Sequence, residues 1–362
     1  MAVSQWGELA PLLVEGESLS YDQSREVMAL IMAGELDEVK LSSYLSIMAV
    51  RGVRVGELRG LADEMQASAK PIDLPPQVID IVGTGGDKAN TVNISTMAAL
   101  VIAAMGSPVV KHGNRASTSA CGSADLLEAL GVDLNLPSAR IISSFDEAGI
   151  AFLFANKFHP SMRHAARVRR DLGFPTAFNV LGPLTNPVRP AASAVGVARA
   201  DAAPLVAGVF AQRGTSAFVF RGIEFGLDEL TSAEPSQLWA IQGGQIAQME
   251  IDPAQMLGID TCTIEELQGS TAAVNSVVAR GVFAGEGGPV ADAVAMNAAV
   301  GMMAGQAAGV GSLLPRSTDT NWLDEANFAT GFREAFKLAK LTLASGAAEA
   351  KLETWVAATR EQ

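Results

Sequence analysis

Cysteine is nearly absent: Cys121 and Cys262 are the only two in 362 residues. Two thiols cannot build a disulfide framework, and their scarcity fits a reducing compartment. Aromatic residues make up 6% of the chain and charged residues 18%, the latter against a usual share of about 25%. Basic charge is the scarcer sign. The 26 Lys and Arg against 39 Asp and Glu leave −13 at pH 7, with an isoelectric point near 4.8, which argues against general nucleic-acid binding. Long hydrophobic runs are missing too. The longest, Met97 to Met105, is nine residues, whereas a membrane-spanning helix takes ~20, so no membrane association is expected. The opening stretch MAVSQWGELAPLL has no basic segment and carries Glu8 early, so no export signal is expected and the expected location is cytoplasmic. Small and aliphatic residues fill the space, with 49% hydrophobic residues and 35 Gly. A chain of this length buries most of its apolar surface without a disulfide or metal staple. Two or three domains of a soluble, acidic enzyme are expected.

The first seventy residues read as helices joined by short turns. Ser20 and Gln23 have capping-box spacing, Val27, Leu30 and Ile31 follow at i, i+3, i+4, and Gly34 is a stop. Leu41, Leu45 and Met48 line a second helix ended by Gly52, and Leu58, Leu61, Ala62 and Met65 line a third. Pro71, Pro75 and Pro76 then mark a linker. Beyond it, strand-like runs at Val78–Val82, Ser107–Lys111, Ile150–Phe154, Ala192–Ala198 and Ser216–Phe220 alternate with helical stretches from Asn93, at Ala124–Leu130 and at Ala202–Gln212. Such alternation predicts a largely parallel sheet covered on both faces. From about Pro289 the chain reads as helical, with Val294, Asn297, Ala298 and Gly301 at helical spacing and Phe332, Phe336 and Leu338 later.

Two loops carry the chemistry. In Asp80-Ile81-Val82-Gly83-Thr84-Gly85-Gly86-Asp87, three glycines in four positions follow a buried strand, where α/β proteins hold ligands. Glycine permits positive φ and close approach of backbone N–H groups. Asn93, Ser95 and Thr96 then open an apolar helix, so donors and hydroxyls converge as phosphate oxygens require. The spacing is neither G-x-G-x-x-G opening a helix nor G-x-x-x-x-G-K-[ST]. The second loop, Lys111 to Ser123, places Lys111 and Arg115 with Ser117, Thr118, Ser119 and Ser123 in thirteen residues and ends at a helix start. In an acidic protein that concentration suggests a held polyanion, with each charge-assisted hydrogen bond worth about 1.5–3 kcal/mol.

GTGGD, TVNIST and KHGNRA…GSADLLEALG, followed in order by FANKFHP (Phe154 to Pro160), VRRDLGFPTAFNVLGPLTNP (Val168 to Pro187) and GLDEL (Gly226 to Leu230), resemble the anthranilate phosphoribosyltransferase family over most of the chain. Lys88, Val92, Cys121 and Pro175 depart from its usual Gly, Phe, Ser and Arg. The resemblance implies an α/β fold: a small all-helical domain, 1–73, joined by helices from about 160–190, and a large α/β domain, 74–362, with a mostly parallel central sheet flanked by helices. It implies transfer of the 5-phosphoribosyl group from phosphoribosyl diphosphate to anthranilate in tryptophan biosynthesis.

By the same resemblance, Gly83, Gly86, Asp87, Thr91, Asn93, Ile94, Ser95 and Thr96 bind the phosphates and ribose of the donor. Lys111, His112, Gly113, Asn114, Arg115, Ala116, Ser117, Thr118, Ser119 and Ser123 complete that site. Lys111, Asn114 and Arg169 are the expected catalytic residues, with Asn114 also facing anthranilate. Ser95 and the adjacent Asp228 and Glu229 are expected to hold Mg2+, two ions per subunit, since magnesium takes one or two carboxylates plus substrate phosphates. Lys157 to Arg170 gathers five of the 26 cations. Arg169 is expected on the anthranilate carboxylate, with Arg170 the alternative, and His159 and Pro183 along the aromatic ring. A homodimer through the helical module and a glutamine amidotransferase partner from anthranilate synthase are further expectations. A pyrimidine nucleoside phosphorylase and a non-catalytic nucleic-acid-binding relative are the alternative readings.

Overall fold

The computed structural model describes residues 2–116, 120–311 and 320–360. The chain opens with helices α1 (Ala2–Val14), α2 (Tyr21–Ala33), α3 (Glu38–Arg51) and α4 (Val55–Ala67). Then come β1 (Ile79–Gly83), α5 (Ile94–Ala104), β2 (Val109–Gly113), α6 (Ser123–Leu130), α7 (Ser138–Ala148) and β3 (Ile150–Phe154). Helices α8 (Ala155–Phe158) and α9 (Arg163–Leu172) precede β4 (Ala192–Gly196), α10 (Ala203–Arg213), β5 (Ser216–Gly222), β6 (Ser236–Gln242) and β7 (Gln245–Ile251). The remainder is helical: α11 (Pro253–Leu257), α12 (Ala272–Phe283), α13 (Pro289–Ala307), α14 (Glu325–Ala344) and α15 (Ala347–Arg360). These elements form two compact units, Met1–Pro71 with Ala155–Pro187, and Ile72–Phe154 with Val188–Gln362.

In the helical unit, local chemistry sets the helix ends. The Ser20 hydroxyl accepts the Gln23 N–H at 3.2 Å while the Gln23 side chain accepts the Ser20 N–H at 2.8 Å, the reciprocal cap read from the spacing. Gly34 closes α2 at φ 72°. Leu41, Leu45 and Met48 are buried within the chain itself, so that face is already spent on packing. Glu57 is also fully buried. It accepts the N–H groups of Leu19 and Arg54, each at 2.8 Å, and pairs with Arg51, as a buried charge must. The later segment is tied to the bundle by the Lys70 N–H on the Phe158 carbonyl at 2.8 Å and by the Gln66 amide on the Asn186 carbonyl at 2.6 Å.

The second unit holds a seven-stranded sheet in the order β3-β2-β1-β4-β5-β6-β7. The first five strands run parallel, whereas β6 and β7 are antiparallel additions. The β6–β7 hairpin turns on Gly243 and Gly244, at φ 58° and 78°, the left-handed pair that a two-residue turn requires. Its strands were not read from the sequence. Helix α5 is buried from Ile94 to Ala103 because it lies between β1 and β2 on one side and α13, α14 and α15 on the other. Gly301 of α13 lets α5 approach closely, since a Cβ there would stand 2.5 Å from Ile102 Cδ1. Among the described residues no helix is long and apolar enough to cross a membrane.

Candidate active site

The chain runs from β1 outward to β3, then returns to place β4 on the other side of β1. That reversal opens a crevice at the carboxyl ends of β1 and β4. Gly83 and Gly196 end these strands in register, and Asp228 sits against both. A Cβ on Gly83 would lie 2.3 Å from Asp228 Oδ2, and one on Gly196 1.6 Å from the Asp228 carbonyl oxygen. The glycines therefore reserve the place of an acid. The Asp228 carboxylate accepts the Gly85 N–H at 2.6 Å, and Glu229 accepts the Ser95 N–H at 3.0 Å. The acid pair thus fixes both the glycine loop and the first turn of α5. The loop itself is pinned at each end. The Thr84 hydroxyl accepts the Ala198 N–H at 3.1 Å, and the Asn90 carbonyl accepts the Gly269 N–H at 2.7 Å.

Lys111, on β2, is buried to 2% exposure. Its ammonium donates to the Ile81 carbonyl and, at 3.3 Å, to the Ser95 hydroxyl. Burial pushes this ammonium below its ordinary pKa, while Asp80, Glu229 and Asp228 pull it back up. Burial pushes Glu229 up to about 7, although Lys111 and the Ser95 N–H hold it down. Asp228 stands well above the usual carboxylate range because of burial and then the neighbouring Asp87 and Glu229. Dehydrated carboxylates clustered this way favour an incoming cation.

The second loop closes the opposite wall. Asp125 accepts the N–H groups of Ala116 and Gly122, at 3.0 and 2.9 Å. Arg115 bridges Asp125 and Glu128 at 3.0 and 2.7 Å and lies over the Phe154 ring at 5.5 Å. The two walls meet at Asn93, whose side-chain amide donates to the Cys121 carbonyl at 3.0 Å and whose oxygen accepts from Asn275 at 3.0 Å.

Between the loops lies a cavity of about 300 Å³. Of the residues expected at the donor and metal site, Gly83, Gly86, Asp87, Thr91, Asn93, Ser95 and Thr96 line it from the first loop, and Lys111, Gly113, Asn114, Arg115, Ala116 and Ser123 from the second, with Asp228 and Glu229 at the floor. Ile94 and His112 do not line it. Both are buried behind the wall, and the His112 N–H donates to Asp80 at 3.2 Å. Ser117, Thr118 and Ser119 lie outside the described residues.

His159, Arg169 and Pro183 belong to the helical unit. His159 is buried, with Nε2 2.9 Å from the Thr185 carbonyl, and burial lowers its pKa despite hydrogen bonds to the Thr185 and Met65 carbonyls. Pro183 is buried in a 3-10 turn, Gly182–Leu184. The Arg169 guanidinium stacks over Phe178 at 5.0 Å, and burial pushes its pKa down. It pairs with no carboxylate among the described residues. Arg170, the neighbour one register away, is exposed and pairs with Asp171 at 3.4 Å. A half-buried guanidinium without a counter-ion is the better candidate for a ligand carboxylate.

Two supporting roles escaped the sequence reading, which placed Asn297 only on a helix face. Asn275 orients Asn93, and its oxygen accepts the Ser270 N–H at 2.8 Å. Asn297 is fully buried on α13 and binds both the N–H and the carbonyl of Leu230, at 3.2 and 2.8 Å, fixing the backbone just after Glu229. A polar residue within the apolar run of α13 was the available signal for Asn297; Asn275 had none.

A sheet-end cavity lined by backbone donors, a buried lysine and paired acids suits an enzyme that acts on a phosphorylated small molecule. Residues 75–348 match the glycosyl transferase family a/b domain, and residues 12–69 match that family's helical bundle domain. The anthranilate phosphoribosyltransferase of an Arthrobacter species is 49% identical over 99% of this chain and 97% of its own. The crystal structure of the Thermus thermophilus enzyme of that name has a TM-score of 0.84 at 38% identity, covering 97% of this chain and 99% of that one. The Saccharomyces cerevisiae enzyme in complex with phosphoribosyl diphosphate and Mg has a TM-score of 0.79 at 27% identity, over 94% and 93%. The chain belongs to the anthranilate phosphoribosyltransferase family. Neither a phosphorylase nor a nucleic-acid-binding reading finds support among these relatives.

Proposed function

We propose that the protein transfers the 5-phosphoribosyl group of phosphoribosyl diphosphate to the amine of anthranilate, releasing pyrophosphate, in tryptophan biosynthesis. The observation that carries this reading is the cavity in which two loops of backbone donors, Lys111 and the Asp228–Glu229 pair converge. The loop N–H groups from Gly83 to Thr96 and from Lys111 to Ser123 hold the donor's phosphates and ribose. Ser117, Thr118 and Ser119 are included in that assignment, whereas Ile94 and His112, whose N–H groups are taken by the Val92 carbonyl and by Asp80, only shape the wall behind it.

Asp228, Glu229 and Ser95 fit magnesium. They are hard oxygen donors, and the two acids are buried at 7% exposure each, with pKa values raised first by that burial. Magnesium usually takes one or two protein carboxylates and leaves its remaining positions to substrate phosphates and water. Bound magnesium would neutralise charge on the leaving diphosphate. Two ions per subunit belong to the same proposal.

The anthranilate amine is neutral near pH 7, so attack on the anomeric carbon needs no strong base. The hard part is departure of a polyanion from a carbon gaining oxocarbenium character. Lys111 and the fixed N–H dipoles stabilise that departing charge without reorganising. Arg169 binds the anthranilate carboxylate, His159 and Pro183 bound its ring, and Asn114 faces the amine, so positioning supplies much of the remaining rate. A homodimer through the helical unit, a cytoplasmic location and a glutamine amidotransferase partner complete the reading. The decisive experiment follows loss of anthranilate fluorescence on adding phosphoribosyl diphosphate and magnesium, with and without chelator. Turnover abolished by chelator is expected, and no donor-dependent loss of fluorescence would overturn the proposal.

A further inference from the structure

Three cations line the cavity, Lys88, Lys111 and Arg115, facing Asp87, Asp228 and Glu229. Two of the cations are already engaged. Lys111 is buried against the Ile81 carbonyl and the Ser95 hydroxyl, and Arg115 is held by Asp125 and Glu128. Lys88 is exposed and has no ion-pair partner among the described residues. Its backbone stands at φ 65°, the left-handed region that crowds any Cβ and that glycine enters freely. The reason lies in the loop. With Thr84 and Asn90 both pinned, the short arch between them runs through positive φ at Gly85, Gly86 and Lys88 and ends on Asn90, itself at φ 52°. A long cationic side chain held in a strained conformation at the lip of an anion cavity suggests a role for the charge.

We infer that Lys88 is a further binding residue for the donor's diphosphate, its ammonium meeting the departing phosphates and staying with pyrophosphate until release. This rests on the phosphoribosyl-transfer reading above. The test compares Lys88→Gly, Lys88→Ala and Lys88→Arg in the full-length protein by steady-state kinetics and by inhibition with inorganic pyrophosphate. The KM for donor and the inhibition constant of pyrophosphate should rise together, about five- to tenfold, in the Gly and Ala variants. The Arg variant should recover most of that loss, and the KM for anthranilate should stay within about twofold, since its carboxylate is assigned to Arg169 and its amine is neutral. The Gly variant is decisive because it removes the charge and the strain together. Its melting temperature should rise while its donor affinity falls, which a purely structural role for Lys88 does not produce. An active Lys88→Gly enzyme with unchanged donor KM and unchanged pyrophosphate inhibition overturns the inference and leaves the transferase reading standing. A wild-type protein without donor-dependent turnover overturns the transferase reading instead.

Discussion

Two glycines that flank one aspartate have different tasks. At Gly83 a methyl group would press on the Asp228 carboxylate oxygen, the mobile tip of a side chain; at Gly196 it would strike the Asp228 backbone carbonyl at 1.6 Å. A side chain can rotate away and a strand end cannot. Gly83→Ala is therefore expected to keep most of the stability but to displace the carboxylate, cutting magnesium-dependent turnover at least tenfold. Gly196→Ala is expected to cost about 3 kcal/mol or more, at the upper end of overpacking effects. Urea denaturation beside a magnesium titration of turnover separates the two, and equal effects from both variants would argue against a place reserved for Asp228. These single positions were partly legible in the sequence. Three glycines in four residues advertised the loop, yet nothing about Gly196 revealed that its partner lies thirty-two residues onward, because the contact is made by the fold and not by a local pattern.

At the scale of elements, reading and structure agree where a period is strong and part where pairing decides. The run Ile150–Phe154 is a strand from end to end, whereas the runs predicted at Val78–Val82 and Ser107–Lys111 lie at Ile79–Gly83 and Val109–Gly113. Hydrophobicity marks what is buried, and the hydrogen-bond ladder marks where a strand ends, so the two differ by a residue or two. The β6–β7 hairpin was missed because β7 is an edge strand that exposes most of its residues, although Gly243-Gly244 was a usable turn signal. Helix α7 was missed as well, despite Ile141, Phe145 and Ala148 sharing one buried face. The site depends on one more element-level link. Asn297 of α13 satisfies the backbone of Leu230 in a fully buried setting. Asn297→Ala would orphan an N–H and a carbonyl together, at a cost of about 2–3 kcal/mol. The expected result is a lower urea midpoint and a drop in turnover that extra magnesium does not restore. An unchanged midpoint would mean that the loop after Glu229 is held by other contacts.

At the scale of the whole molecule, the two units carry separate signatures. The helical unit contains His159, whose burial lowers its pKa from the ordinary 6.5. The folded state therefore holds the neutral ring while the unfolded chain takes up a proton as pH falls through about 6.5. The unfolded state binds more protons there, so stability is fully present above that value and is lost on acidification, by up to about 1 kcal/mol between pH 7 and 5.5. His159→Gln, able to keep the donor to Thr185, should flatten this slope in urea melts at stepped pH; an unchanged slope would assign the acid sensitivity elsewhere.

The α/β unit should answer to the donor. A ligand that binds only the folded state stabilises it by about 2.7 kcal/mol at a hundred times its dissociation constant. If the cavity is the donor site, hydrogen exchange with phosphoribosyl diphosphate and magnesium should slow most at the N–H groups of Gly85, Gly86 and Asn114. Those of Val219 and Phe220, already buried in β5, should change far less, since their exchange requires opening of the sheet itself. Magnesium alone should give only part of the protection, because two carboxylates without phosphate oxygens make an incomplete coordination shell. Protection concentrated away from both loops would place the donor somewhere other than this cavity, and the assignment of Lys111, Asp228 and Glu229 to the reaction would fall with it.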